Sequence, residues 1–370
     1  MKLDPAVLAI PLYALFIGGE LWLSRRPRDG LARSWEDLLV NVGAGLGQLA
    51  TDVLLGLLYV VPYAALAAHA PRSLSETAVT TWLLAFLGVD LGFYWQHRLS
   101  HRVGLFWAAH AVHHQGEDYN LGLALRQPWF SVLINWVYYL PLAVVGVPVT
   151  VFLGAAGLNL VYQFFLHTRA IRTLGPLEWV LNTPSHHRVH HGRDADYLDC
   201  NYGGVFIIWD RLFGTFRQEH REPSFGTVEP FRSWNPAWAN FEHLALLARK
   251  RRACDGLVDK VLAYLRPPEW SPPGLPAAPA PAAAPTPGLR QRSYATWLLM
   301  EALAGTVALV MWKAQLGWLA KVSGVGLVVA TLMVMGGLLD GRPWFKPAEL
   351  IRRAALVLTL GTALLIGGWL

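Results

Sequence analysis

His97-Arg98-Leu99-Ser100-His101, His110-Ala111-Val112-His113-His114, His167, and His186-His187-Arg188-Val189-His190-His191 are the words on which the reading of this chain turns. Ten of its thirteen histidines fall between residues 97 and 191; His69, His220 and His243 lie outside. His97 and His101 are four apart, so a helix places both rings on one face, one turn apart. In each His-x-x-His-His word the first histidine is the helical neighbour of the second and of the third. Each cluster can therefore direct two or three nitrogens at a common point. Neutral imidazole is the commonest protein metal ligand and suits iron, zinc, copper and nickel. Ten ligands are too many for one tetrahedral zinc and suit two metal ions sharing a site. His97, His101, His110, His113, His114, His167, His186, His187, His190 and His191 are thus the candidate ligands. His186 is the least required of them, because His187, His190 and His191 already complete their word.

The residues around these words supply auxiliary candidates. Asp90 precedes His97 by seven positions, two helical turns along the same face. It is placed either to hydrogen-bond a ligand imidazole or to partner a polar group on a neighbouring span. After the second cluster comes Gln115-Gly116-Glu117-Asp118-Tyr119-Asn120, then Arg126. Glu117 and Asn120 are candidates to contact a reductant or orient a ligand; the alternative is a capped, solvated loop. Residues 129–166 are mostly apolar and broken by Pro141, Gly146 and Pro148. At about 20 residues per crossing they suit a helical hairpin that returns His167 to the side it left. Asn159, two turns before His167, either touches the ligands or bonds between helices. Pro184 precedes the third cluster, with Ser185 as its expected N-cap. Asn201 to Phe216, apolar and aromatic but interrupted by Asp210 and Arg211, suits a segment lining the site.

The words His-x3-His, His-x2-His-His and His-x2-His-His resemble the fatty acid hydroxylase/sterol desaturase superfamily of membrane di-iron oxygenases. FLGVDLGFYWQHRLSH (86–101), EDYNLGLALRQ (117–127), NLVYQFFLHT (159–168), LGPLEWVLNTPSHHRVHHGR (174–193) and NYGGVFIIWDRLFGTF (201–216) are similar to its alkylglycerol monooxygenase branch. The likeness is dense over residues 80 to 220 and faint at the termini, where GGLLDGRP (336–343) also matches. The resemblance implies iron rather than zinc, and two iron ions rather than one. It implies O2-dependent hydroxylation of the ether carbon of alkylglycerols, releasing a fatty aldehyde and a glycerol derivative. It further implies tetrahydrobiopterin as electron donor, with a redox protein as the other possible donor. A sterol or fatty-acyl hydroxylase or desaturase would use the same metal site on another lipid.

Composition agrees with a membrane setting. The 370 residues are 54% hydrophobic and 15% charged, with 17 Trp, and mean hydropathy is +0.33. Those are membrane-protein values rather than those of a soluble domain, and with the apolar runs along the chain the expected fold is an all-α polytopic membrane helical bundle. The formal charge of +6 sits in loops beside apolar spans, so membrane topology explains it better than nucleic acid does. Cys200 and Cys254 form no disulfide framework and no Cys-x-x-Cys motif.

Apolar runs are expected to span at 6–23, 38–65, 77–96, twice in 129–166, and at 294–312, 316–339 and 350–370. The first reads as a retained span, since no basic region precedes it beyond Lys2 and no small-residue cleavage signal ends it. Glu20 lies inside it, where a carboxylate must face protein, water or the interface near Arg25. Gly43, Gly45 and Gly47 in the second permit close helix packing, and Asp52 in the same run is expected to pair inside the bundle. One set of loops holds Arg25, Arg26, Arg28, Arg33, the histidines, residues 168–292, Arg342, Lys346, Arg352 and Arg353; the other holds little beyond Arg72 and Lys313. The positive-inside rule places the histidines in the cytosol.

Residues 1–266 thus read as the oxygenase domain of about five spans and a cytosolic cap. The basic run Arg249-Lys250-Arg251-Arg252 in the cap is expected near anionic headgroups. A Pro/Ala-rich linker covers 267–292. Residues 293–370 read as a three-span helical appendage without chemistry of its own, with Glu301 its one acidic residue well inside an apolar run. No His-Glu-x-x-His and no Gly-x-Ser-x-Gly is present, which argues against a hydrolase. The histidines gather at span ends rather than mid-bilayer, which argues against a metal-binding transporter.

Overall fold

The computed structural model describes residues 5–23, 34–276 and 283–366. Arg25, Arg26, Arg28 and Arg33, part of the expected charge asymmetry, and the centre of the Pro/Ala segment (277–282) lie outside the described residues. Among the described residues the chain is all-α, with no strand; two isolated bridges pair Leu181 with Phe206 and Gly192 with Phe225.

The chain opens with α1 (Pro5–Leu23). α2 (Trp35–Leu55) starts where the Ser34 hydroxyl accepts the Asp37 N–H at 3.2 Å. Glu36 and Asp37 lie in its first turn, where the helix dipole favours anions. The single span expected from residue 38 to 65 is two helices: α2 stops before Gly56 and the chain resumes as α3 (Leu57–Ala67). Gly56 is a poor helix former, and Pro62 withdraws the N–H that would bond to the Leu58 carbonyl. α4 (Val79–Arg102) runs unbroken through His97 and His101, and the short α5 (Gly104–Ala108) and α6 (Ala111–His114) follow.

The expected hairpin is present, with arms shorter than a full crossing. Its outward arm is a chain of short pieces: α7 (Val132–Asn135), a 3-10 turn at Trp136–Tyr139, and α8 (Leu140–Val144), which contains Pro141. Gly146 turns the chain at φ +86°, where a Cβ would sit on the Arg72 carbonyl oxygen, so only glycine fits. α9 (Val149–Phe164), 16 residues long, carries the chain back to His167. Two more short helices, α10 (Pro184–His190) and α11 (Ile208–Leu212), complete the histidine region. α10 begins two residues earlier than a cap at Ser185 would allow. Pro184, with φ preset and no N–H to lose, takes the first helical position, so Thr183 is the residue at the N-cap. Ser185 instead donates its hydroxyl to Glu178 at 2.8 Å.

α12 (Pro236–Arg252) and α13 (Leu257–Leu265) precede the Pro/Ala segment, and α14 (Leu289–Trp312), α15 (Trp318–Leu339) and α16 (Phe345–Ile366) follow it. α2, α14 and α15 are long and apolar enough to cross a membrane. These three also share one core: Leu39, Leu46 and Ala50 of α2 meet Leu298 and Ala302 of α14 and Val328 and Leu332 of α15. Glu301 is not isolated, because the buried Arg352 bridges it at 2.7 Å to Glu349, also at 2.7 Å. Glu20 of α1 accepts from the Leu121 N–H at 2.7 Å and from the Thr168 hydroxyl, tying α1 to the loops that follow two of the histidine words.

The glycines of α2 admit close neighbours, as their spacing suggests. The Trp129 indole lies across Gly47 and donates to the Ala44 carbonyl at 2.9 Å, and a Cβ at Gly47 would sit 2.2 Å from that ring. Gly47→Ala is therefore expected to push Trp129 off α2 and cost about 1–3 kcal/mol. A lowered midpoint of thermal unfolding in detergent would register it.

Candidate metal centre

Helical periodicity sorts the histidines into two groups. His97, His101, His110, His114 and His190 bring one nitrogen each to a common point, and His113, His167, His187 and His191 do the same at a second; within each group these atoms lie within 4.8 Å of one another. His97 and His101 are one turn apart on α4. His110 caps the start of α6 and His114 ends it at the same spacing, and His187 inside α10 lies one turn before His191 at its C-cap. Adjacent residues on a helix point about 100° apart. His113 therefore leaves its neighbour His114 and joins the second group, while His190 leaves His191 and joins the first. Each His-x-x-His-His word thus serves both points at once, where the sequence suggested one point per cluster.

The rings are packed closely. His97 Nε2 lies 3.1 Å from His110 Nε2, which lies 3.1 Å from His114 Nε2; His190 Nε2 is 3.2 Å from His114 Nε2. In the second group His167 Nε2 is 3.1 Å from His113 Nε2 and 3.0 Å from His187 Nε2. Eight of the nine side chains are buried and His110 is half-buried.

Backbone carbonyls fix which nitrogen faces inward. The Nδ1 of His97 donates to Tyr202 O at 2.9 Å, of His190 to Cys200 O at 2.9 Å, of His113 to Arg126 O at 3.2 Å and of His167 to Gln163 O at 2.9 Å. A carbonyl only accepts, so Nδ1 carries the proton and Nε2 a lone pair. Burial, reinforced by neighbouring imidazoles, holds His113, His114, His187 and His191 well below the usual histidine range, and burial, partly offset by the Gln163 carbonyl, pushes His167 down to about 4. The rings are neutral. With Nδ1 protonated on both, His113 and His167 present two lone pairs to each other at 3.1 Å, an arrangement that a cation between them relieves. The buried Nε2 atoms of His101 and His191 have no hydrogen-bond partner either. An all-imidazole donor set of this kind fits transition metals and disfavours the hard, oxygen-seeking magnesium and calcium.

Of the ten expected ligands, His186 stands apart. Its ring packs edge-on to Phe216 at 5.4 Å, and Thr183 Oγ1 lies 3.5 Å from its Nδ1. Its own carbonyl accepts from Asn201 Nδ2 at 3.1 Å. Asp90 is buried and receives four hydrogen bonds, none from a histidine: from Asn159 Nδ2 (2.7 Å), Val205 N (2.6 Å), Phe206 N (3.0 Å) and Trp209 Nε1 (2.9 Å). Asn159 accepts in turn from Gln163, the residue whose carbonyl holds His167. Asn120 accepts from Gly122 N at 2.8 Å and caps the 3-10 turn Leu121–Leu125. Glu117 lies at the surface, paired with Arg193 at 3.6 Å and Arg232 at 3.1 Å.

Several supporting residues were not evident from spacing. The loop 199–204 supplies two of the four anchoring carbonyls. Asp199 and Asn201 hold left-handed φ values of 58° and 54° there, a conformation that Asp and Asn tolerate better than most. Asp210 clamps the loop by accepting from Tyr202 N and Gly203 N, each at 2.8 Å. Arg188, inside the third word, grips Glu219 with two bonds and donates to the carbonyls of Thr168, Ile171 and Arg172, tying α10 to the segment after His167. Arg126 is buried against Asp37 at 3.6 Å and donates to Val112 O, Asn41 and Gln115. The arginine inside the third histidine word, Arg188, was the one available signal.

The depressed histidines set a pH dependence. An unfolded chain takes up protons near pH 6.5, whereas folded His167 resists to about 4. Stability present above 6.5 is therefore lost as pH falls toward 4. For His167 alone the loss at pH 5 is roughly 2 kcal/mol. Metal-free protein should melt lower at pH 5 than at pH 7, and an unchanged midpoint would contradict the neutral, buried state.

A family model described as fatty acid hydroxylase matches residues 82–215, the stretch that holds all nine converging histidines. The chain is 39% identical over 283 residues to the alkylglycerol monooxygenase of Xenopus tropicalis, covering 74% of this chain and 63% of that protein. It is 46% identical over 192 residues to the human alkylglycerol monooxygenase, covering 52% of this chain and 43% of that one. The ornithine lipid hydroxylase OlsE of Rhizobium tropici is 31% identical over 153 residues, 39% of this chain and 45% of its own. The chain spans less than two thirds of the length of each of these relatives. No solved structure matches it.

Proposed function

We propose that this protein, whose residues 82–215 match the fatty acid hydroxylase family model, is an O2-dependent lipid monooxygenase with two iron ions. The family and the three apolar helices make it an integral membrane protein, and the two histidine groups indicate a metal cofactor. In this reading the five-histidine group and the four-histidine group each hold one iron. The histidine end of the bundle faces the cytosol, as the positive-inside rule requires. The observation that carries the reading is the facing pair of unprotonated nitrogens, His113 and His167, inside a family segment with two converging imidazole groups.

Paired iron supplies the binding and reduction of dioxygen. The chain supplies the rest. Its carbonyls at Cys200, Tyr202, Arg126 and Gln163 hold four rings in one tautomer, so the donor atoms are oriented in advance. Tyr119 stacks on Phe225 at 4.6 Å and sits 5.4 Å from the His191 ring, while Trp107 lies 4.8 Å from His101 and Tyr202 5.3 Å from it. These aromatics wall the rings off from water, which protects an oxidant from side reactions.

The substrate we propose is the ether carbon of a long-chain alkylglycerol. Inserting one oxygen atom into its C–H bond gives a hemiacetal, which breaks to a fatty aldehyde and a glycerol derivative. The other oxygen atom leaves as water and takes two electrons and two protons. Tetrahydrobiopterin is the proposed donor of those electrons, and a redox protein is the alternative. The likeness to the alkylglycerol monooxygenases supports this substrate, and the likeness to OlsE supports hydroxylation on another lipid as the second reading.

The test is an oxygen-dependent assay of iron-loaded protein in detergent with a long-chain alkylglycerol, run with tetrahydrobiopterin and separately with a generic reductase system. Aldehyde formed only with pterin supports substrate and donor together. Aldehyde formed only with the reductase keeps the substrate and rejects the pterin. No aldehyde in either, with two irons bound, rejects the ether lipid and favours the second reading.

A further inference from the structure

The helices α12 and α13 supply no histidine to either group, yet they are built in a distinctive way. α12 runs across the histidine end of the bundle rather than along it. At its start Asn235 donates to Met333 O at 3.3 Å, near the end of α15. A turn later Asn240 accepts from Trp129 N at 2.8 Å, where the hairpin begins, and Ala239 O accepts from Gln115 Nε2 at 3.3 Å, just past α6. Further on, the His243 ring lies 6.4 Å from Trp107 on α5. These contacts place α12 beside the last two turns of α15, the start of the hairpin, and the short helices α5 and α6. A helix touching them in sequence crosses the histidine end of the bundle, the arrangement expected of a helix lying in an interface.

The outward side of α12 and α13 matches that placement. Trp238 and Phe241 are exposed, with Phe241 5.5 Å from Phe130 at the root of the hairpin. α13 buries Ala263 against the protein but leaves Leu257, Val258, Val261 and Leu265 between 50% and 78% exposed. At 100° per residue these four fall within an arc of about 100°, one continuous aliphatic face. Such a face on a segment otherwise rich in charge is the mark of a helix lying in an interface. Between residues 249 and 266 there are six basic residues and two acidic ones. Arg266 is paired with Asp259 at 3.1 Å, Lys250 donates to Pro268 O at 2.6 Å and Arg249 reaches Pro276 O. Arg251 and Arg252 are exposed and have no acidic partner among the described residues; Asp255 and Glu269 are the remaining acids nearby.

We propose that α12 and α13 form an interfacial platform that binds anionic phospholipid in the leaflet on the histidine side. The aliphatic face of α13, with Trp238 and Phe241, enters the headgroup boundary, and Arg249, Arg251 and Arg252 hold headgroup phosphates. Basic residues near an anionic surface each add to the attraction, and salt screens it. Because α12 also carries Asn240 and Ala239, which hold Trp129 and Gln115, the lipid contact reaches the frame around His113.

The test uses the full chain in nanodiscs of phosphatidylcholine, with and without about a third phosphatidylserine. A fluorophore is attached at Val261→Cys, with Leu257→Cys as a second probe and Gln218→Cys as the water-facing reference. Cys200 and Cys254 are buried and label poorly. Doxyl-lipid quenching at Val261 should exceed that at Gln218 severalfold, and iodide quenching should run the other way. With phosphatidylserine the lipid quenching should rise at least twofold, and the R249Q/R251Q/R252Q variant should abolish that rise. Probes at 261 and 257 quenched by iodide as readily as the one at 218 would overturn the platform. Equal lipid quenching in the two membranes, or a rise untouched by the triple variant, would overturn the anionic-lipid assignment.

Discussion

His113→Ala protein is expected to insert and fold but to lose the metal of the four-histidine group and with it at least about a hundredfold of its lipid oxidation. The ring sits at the junction of the site. Its Nε2 faces His167 at 3.1 Å, and its Nδ1 is held by the Arg126 carbonyl. Removing a residue that merely supports a metal ligand commonly costs 10–100-fold, so removing the ligand itself should cost at least that much. The change leaves a cavity but no unpaired charge, because the ring is neutral, so the fold survives. Metal analysis of purified protein should show the loss directly. His190→Ala should do the same to the five-histidine group. His186→Ala supplies the contrast, since that ring packs on Phe216 outside both groups, and its metal content should stay at the wild-type level. Normal metal in His113→Ala, or loss in His186→Ala, would reverse the assignment.

Asp90→Ala is expected to be the most damaging change away from the histidines. The carboxylate accepts from two backbone N–H groups, an indole and an amide, all in the interior. Alanine would strand these donors. At about 1–3 kcal/mol for each unsatisfied buried group, partly relieved by relaxation, the loss is roughly 3–5 kcal/mol. That is a large share of the margin of a typical domain. The effect should also reach the metal, because the segment Asp90 grips follows Tyr202, whose carbonyl holds His97. Asp90→Asn keeps an acceptor oxygen and should recover part of the stability. Thermal unfolding and metal content of both variants, measured together, separate a collapsed fold from a loosened His97.

What could be read from sequence was what repeats with helical period. His97 with His101, and the two His-x-x-His-His words, announced their shared faces, and the broken apolar run 129–166 announced the return that delivers His167. The division of each word between two centres follows from the same arithmetic applied to adjacent rather than fourth neighbours. Other features were illegible because they depend on the backbone. The carbonyls of Cys200 and Tyr202 anchor His190 and His97, and no side chain at those positions advertises it. Asp90 lay on the expected helical face relative to His97, yet it is satisfied by the 205–209 segment, more than a hundred residues away in sequence. The break came at Gly56, a poor helix former, with Pro62 leaving the Leu58 carbonyl without its N–H, against an otherwise continuous apolar pattern.

The two-way use of each His-x-x-His-His word has a consequence for which lengths in this chain are free to vary. Between the words the chain has slack: a loop can gain or lose residues while the rings keep their places. Within a word it has none. Inserting one residue between His110 and His113 would rotate both later rings by about 100° relative to the first. His113 would then take the place of His114 at the first centre, His114 would point at neither, and the second centre would lose one of its four rings. The words behave like gear teeth cut on a single shaft, their spacing locked by two partners at once.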